Sequence, residues 1–219
     1  MDHLVPSLRL LLLWFVPFIF SLSFHEAAHA WTANRYGDPT ARYVGRMTLN
    51  PLAHIDWIGT VLFPLVAFFT NFPLIGWARP VPVNERNLKR PIHGVLVAAA
   101  GPISNLILAI LFTVALAIFY RLPGAEGGPI SLVREPLVKM VAAGIQLNLI
   151  LAVFNLIPFP PLDGGRILFG LFPSLSPRLA FAERYGFIIP LALFMTGVVN
   201  RVVFYPTQLV YYFLLKMAV

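Results

Sequence analysis

The chain has no cysteine. That absence excludes disulfides, thiolate metal sites and a cysteine nucleophile together. Charge is scarce too: 11% of the 219 residues are Asp, Glu, Lys or Arg, against about 25% in an average soluble domain. Acidic residues are the scarcer sign, 9 against 16 basic, which leaves a formal net charge of +7. In a chain that is 58% hydrophobic, this excess reads as membrane topology, and no nucleic-acid partner is expected. The same arithmetic excludes an ordinary soluble enzyme and a disordered chain. Breakers are plentiful, with 20 prolines and 15 glycines. Broken apolar segments survive in lipid only where protein or trapped water satisfies the freed backbone groups.

A crossing helix needs about 20 apolar residues. Leu4–Phe24, Gly94–Tyr120 and Leu137–Phe159 meet that length. Ile58–Phe72 is too short for a comfortable crossing and contains Pro64, while Phe187–Val199 and Val202–Val219 are parted only by Asn200 and Arg201. Loops 34–56, 73–91 and 160–186 carry ten of the 16 basic residues, and loop 121–135 is balanced. The positive-inside rule puts the three basic loops in the cytoplasm. Loops 34–56 and 73–91 share a side if Ile58–Phe72 dips in and returns, so a re-entrant segment is expected. The expected fold is an all-α polytopic membrane protein of about five to six membrane segments, a single domain over residues 1–219. It is an integral, multi-pass protein, of the plasma membrane if the source is bacterial.

The first span ends in His25-Glu26-Ala-Ala-His29, an H-E-x-x-H pattern. On a helix, His25 and His29 sit one above the other on one face, and two imidazoles so placed can hold one metal ion. Glu26 lies beside them, close enough to take a proton from an activated water. His25 is roughly 30 Å along the helix from Leu4, which places the pair at membrane depth, towards the cytoplasmic side. Ionisable residues there are costly unless paired or functional. The bland alternative is a polar cluster that merely ends a helix among headgroups.

A catalytic zinc needs a third protein ligand and an open position. Without cysteine, the ligand must be Asp, Glu or His. His3 falls on the wrong side, and His93 opens a span beside a basic run. The informative stretch is Asn155-Leu-Ile-Pro-Phe-Pro-Pro-Leu-Asp163-Gly-Gly-Arg166. Its prolines end the third long span, and Asp163 then reaches the same depth and side as His29. A short helix over Arg166–Phe172 is expected to follow, with Asp163 as its N-cap. A turn with a capping Asp is the alternative reading.

At these residues the chain resembles the site-2 protease family of intramembrane zinc metalloproteases. The resemblance rests on Phe24-His25-Glu26-Ala-Ala-His29, Gly101-Pro102-Ile-Ser-Asn105 and Asn155-x-x-Pro158-x-x-Pro161-Leu162-Asp163-Gly164-Gly165, in that order. Asn50-Pro51-Leu-Ala-His54-Ile-Asp56 is similar to a segment of compact bacterial members. The resemblance implies one Zn2+ held by His25, His29 and Asp163, with Glu26 as general base and acid. It also implies a three-helix core and a short membrane-associated sheet after the first helix. Many members carry a PDZ or CBS regulatory domain, and none is expected here.

Three further residues are candidates for substrate contact or for steadying a ligand. Asn105 either packs between helices or lines the cleft, and Asn155 either bonds a neighbouring helix or orients a ligand. His54 sits beside the short segment. Arg42–Leu49 alternates with a period of two, and a hairpin there would offer an edge to an unwound substrate or pack on itself. The expected activity is hydrolysis of a peptide bond in or near a transmembrane segment of a protein substrate. Two rivals stay open: a metal-ion channel or transporter lined by His and Asp, and a catalytically silent relative that binds membrane helices. Nitrogen and oxygen ligands also accept Co, Mn or Fe.

Overall fold

The computed structural model describes residues 4–70, 76–121, 129–178 and 196–218. Helix α1 is Leu4–Arg35. It does not end at the H-E-x-x-H motif as expected but runs six residues beyond His29. Ala27, Ala30 and Ala33 explain the extension, being strong helix formers that are fully buried. A single turn, Thr40–Tyr43, follows. A six-residue π segment, Trp57–Leu62, then runs into α2 (Phe63–Thr70). Residues 76–84 form an extended strap with no helix or strand pairing. After it come α3 (Ile92–Arg121), α4 (Pro129–Asn155) and α5 (Asp163–Leu171). A second π segment, Asn200–Phe204, leads into α6 (Tyr205–Ala218).

Among the described residues, three helices are long and apolar enough to cross a membrane: Leu11–Arg35, Ile92–Arg121 and Val133–Asn155. The expected span Phe187–Val199 lies almost entirely outside the described residues. The Trp57–Thr70 helical stretch is shorter, roughly 21 Å at 1.5 Å per residue. The chain comes back to where that stretch began: the Trp77 N–H donates to the Gly59 carbonyl (3.2 Å), and Thr60 Oγ1 donates to the Trp77 carbonyl (2.8 Å).

Helix α3 is the hub, packing against α1, α4, α5 and α6. Its buried face repeats every three to four residues through Val97, Ala98, Gly101, Asn105, Leu108, Ala109 and Leu116. Ile103, Ile107, Ile110, Leu111 and Val114 point outwards. Small and polar groups therefore lie inside and large apolar ones outside, the pattern of a helix packed in lipid. One apolar cluster, Ala109, Leu116, Ile145, Leu149 and Ala218, joins α3, α4 and α6. Another, Phe18, Leu22, Ala78 and Leu147, ties the strap to α1 and α4.

The hairpin expected over Arg42–Leu49 does not form, and the described residues contain no strand. The backbone there is spent on a helix end. The Gly45 N–H bonds the Arg42 carbonyl (3.1 Å), the Arg46 N–H bonds the Ala41 carbonyl (2.8 Å), and Gly45 adopts φ +71°. This is the Schellman pattern, with glycine at its left-handed position. The period-two alternation read across Gly45 was a turn.

Candidate active site

Helix α1 presents His25, Glu26 and His29 at the level of Val97–Asn105 of α3. All three are buried, with exposures of 5%, 9% and 8%. Each imidazole is held through Nδ1: His25 Nδ1 lies 2.6 Å from Asn105 Oδ1, and His29 Nδ1 lies 2.7 Å from the Val97 carbonyl. Both partners are acceptors, because Asn105 uses its Nδ2 to donate to Asn148 Oδ1 (2.8 Å). Both rings therefore carry their proton on Nδ1, and each turns an Nε2 lone pair to the same point.

Asp163 closes that point. Helix α4 ends at Asn155, and the chain turns through Pro158, Pro160 and Pro161. Gly164 and Gly165 press against the Leu156–Pro160 backbone so closely that a Cβ on Gly164 would lie 2.3 Å from the Leu156 carbonyl oxygen. Asp163 is the first residue of α5, not its N-cap, because Leu162 takes the extended capping conformation without a side-chain bond. The carboxylate still benefits from the helix dipole in that first turn.

Asp163 Oδ2 lies 3.0 Å from His25 Nε2 and 3.4 Å from His29 Nε2, and the two Nε2 atoms are 3.0 Å apart. With neutral rings whose protons go to Asn105 and Val97, these three atoms share no hydrogen, and Asp163 Oδ2 is a buried oxygen without a hydrogen-bond partner. Three converging lone pairs would repel one another unless a cation sits among them. All lie within 4.8 Å of one another, so they could hold a metal ion. The donor set of two imidazoles and a carboxylate suits zinc. The backbone of α3 forms the wall behind: a Cβ on Gly101 would sit 2.4 Å from His29 Nε2 and 2.5 Å from His25 Nε2. Only glycine leaves that space.

Glu26 points to the strap, where Oε2 accepts the Val81 N–H at 2.8 Å. The strap is fixed on both sides of this contact. The Arg79 N–H donates to the His54 carbonyl (2.8 Å), Arg46 Nη1 donates to the Pro80 carbonyl (2.9 Å), and the Asn84 N–H donates to Asp38 Oδ2 (2.7 Å). Asp38 is fully buried and also accepts from the Thr40 N–H, the Thr40 hydroxyl and Asn87 Nδ2. Burial alone would raise its pKa, but these donors outweigh it and hold the carboxyl below its usual 3.8.

Of the remaining candidates, Asn105 touches the site directly through His25. Asn155 donates to the Leu151 carbonyl of its own helix (2.9 Å) and makes no hydrogen bond to the three donors. His54 is an anchor for the strap, its Nε2 bonded to the Thr48 carbonyl (2.9 Å), and it stands away from the ligand atoms. Sequence reasoning missed the strap and Asp38. The alternation Arg79-Pro80-Val81-Pro82-Val83 was the available signal for an extended segment. It also missed Ser21 and the depth of the amide chain: Asn148 Nδ2 donates to Ser21 Oγ (2.8 Å), and Ser21 Oγ donates to the Pro17 carbonyl (2.7 Å).

A helix-borne pair of histidines, a glutamate between them and a distant aspartate on a neighbouring helix define a metal-dependent hydrolase. Comparison with known proteins gives the same class. The model of peptidase family M50 matches residues 13–197. A Bacillus subtilis (strain 168) protein named as a candidate zinc metalloprotease, YwhC, is 46% identical over 183 residues, covering 83% of this chain and 79% of its own length. A similarly named protein, Rip2 of Mycolicibacterium smegmatis, is 30% identical over 200 residues, covering 89% of this chain and 70% of its own. No solved structure matches at comparable stringency. The chain belongs to peptidase family M50, the site-2 protease family, and is a membrane-protein zinc metalloendopeptidase.

Proposed function

We propose that this protein hydrolyses a peptide bond in or next to a transmembrane segment of a membrane-protein substrate. The observation that carries the reading is the convergence of His25 Nε2, His29 Nε2 and Asp163 Oδ2 on one buried point. These three side chains would hold one zinc ion, which when bound supplies Lewis acidity at the reacting carbonyl. Glu26 is the proton carrier. The Val81 N–H holds one of its carboxylate oxygens, leaving the other to take a proton from the attacking water and deliver it to the departing amine. Asn105 holds His25 in the ligand tautomer. Burial of all four groups keeps bulk water away from the reaction.

The basic loops favour a site towards the cytoplasm, and the return of Trp77 to Gly59 supports a Trp57–Thr70 segment that enters the membrane and turns back. The protein then resides in the plasma membrane of a bacterial source with the site near its inner face. A substrate helix must lose its own hydrogen bonds locally before its carbonyls can reach the zinc.

The test uses purified protein in neutral detergent with a single-span substrate. Wild type cleaves and a chelator stops it. Glu26→Gln leaves bound zinc near one equivalent by elemental analysis and abolishes cleavage. Cleavage by Glu26→Gln at the wild-type rate would remove Glu26 from its role. Ion flux in proteoliposomes without any cleaved product would favour a channel.

A further inference from the structure

An open cavity of about 580 Å³ lies between the loop after the Thr40–Tyr43 turn and the strap. Val44, Leu52 and Pro82 make its apolar wall, and Arg46 and Arg79 supply its only charges. Neither guanidinium has a carboxylate partner: among the described residues Asp163 faces the two histidines and Glu135 pairs with Lys139. Arg46 uses one N–H on the Pro80 carbonyl, leaving the rest of its donor fork free. The nearby acids are otherwise engaged, Asp38 by its four donors and Asp56 by the N–H groups of Ile58 and Gly59. Burial and then the charge of Arg79 lower the pKa of Arg46, against a smaller opposing pull from Glu26. The cavity thus holds two like charges side by side, with no carboxylate in direct contact with either guanidinium and only the charge of Glu26 partly offsetting that of Arg79 at Arg46.

Its position gives the vacancy a meaning. Arg79 and Pro82 flank Val81, whose N–H grips Glu26. The wall of the cavity and the holder of the general base are one stretch of backbone. A peptide side chain entering the cavity would therefore lie on the same stretch of substrate as the cleaved bond. We propose that Arg46 and Arg79 form a subsite for a carboxylate side chain of the peptide substrate, near the scissile bond. Guanidinium forks match a carboxylate in geometry as well as charge, and the apolar wall accommodates its methylene stem. An anionic lipid headgroup shares the charge, but the continuity with the Glu26 holder favours the peptide. The proposal rests on the proteolytic reading above and adds a specificity to it.

The experiment uses the zinc-loaded full chain and paired synthetic peptides, in which one Asp or one Asn moves stepwise through an otherwise apolar sequence. Cleavage is read by mass spectrometry. The expected result is an Asp-over-Asn preference of about tenfold or more at one position near the cut. It falls to about onefold in Arg79→Gln and reverses in favour of Asn in Arg79→Glu. Arg79 is the cleaner position, since Arg46 also holds Pro80. Binding of the same peptides to Glu26→Gln, followed by fluorescence anisotropy, reads the subsite without turnover. An Asp/Asn ratio unchanged by both Arg79 variants overturns the subsite and leaves the protease intact. Arg79-dependent retention on phosphatidylglycerol vesicles, with no change in the peptide ratio, overturns it in favour of lipid. Absence of chelator-sensitive cleavage with Arg79-dependent binding intact would instead overturn the proteolytic reading alone.

Discussion

At the scale of single residues, the histidine pair is set by a proton inventory that reaches well beyond it. Ser21 donates to Pro17, Asn148 donates to Ser21, Asn105 donates to Asn148, and His25 donates to Asn105. Each link has one available direction, so the chain as a whole fixes which nitrogen of His25 is free. Under the zinc reading, Asn105→Ala weakens zinc binding about 10–100-fold, measured by competition with a chromogenic chelator. Asn148→Ala acts in the same direction by a smaller factor, because Asn105 loses the partner that orients its amide. Gly101→Ala is the sharpest test of the geometry. Its methyl group would fall within 2.5 Å of both Nε2 atoms, so bound zinc is lost although no ligand is changed. Asp163→Ala should also empty the site, and unchanged zinc content would show that the third ligand lies elsewhere. The histidine pair and Asp163 were legible because motif spacing and membrane cost both point to them. The part played by Ser21 was not, because a serine in an apolar helix looks the same whether it bonds only its own backbone or also a neighbouring helix.

At the scale of elements, the strap is the feature that sequence patterns did not reveal. Its short alternation of proline with valine gives no helix or sheet pattern to follow, and its bonds run to partners scattered over residues 26–60. Asp38 clamps one end of it through Asn84 and Asn87. The folded pKa of Asp38 is lowered, so its contribution is fully present above the unfolded value of 3.8 and disappears as pH falls through the lower folded value. Thermal unfolding in detergent checks this. Wild type should exceed Asp38→Asn in Tm at pH 6, and the difference should shrink steadily below about pH 4. The same variant should lower kcat, since the strap carries the N–H that holds Glu26. The long helices were legible because apolar length in lipid has few other solutions. The expected hairpin failed for a local reason: Gly45 reads as one more residue in an alternating run, yet its left-handed backbone ends a helical turn.

At the scale of the whole molecule, the absence of cysteine makes topology directly measurable. Single cysteines placed at exposed Leu52 and Glu85 should react with a membrane-impermeant maleimide from one side of the membrane, and one at Arg121 from the other. Labelling of Leu52 and Glu85 from opposite sides would mean that Trp57–Thr70 crosses outright, against the return contact between Trp77 and Gly59. The site joins one residue pair from early in the chain to an acid that follows two further long helices. A ribosome making this protein therefore releases the first helix, with its imidazoles, long before Asp163 exists to complete the set. Under the proposed reading a nascent copy has no complete ligand set until Asp163 has been made, so the order of synthesis itself would act as a safety catch on the hydrolase.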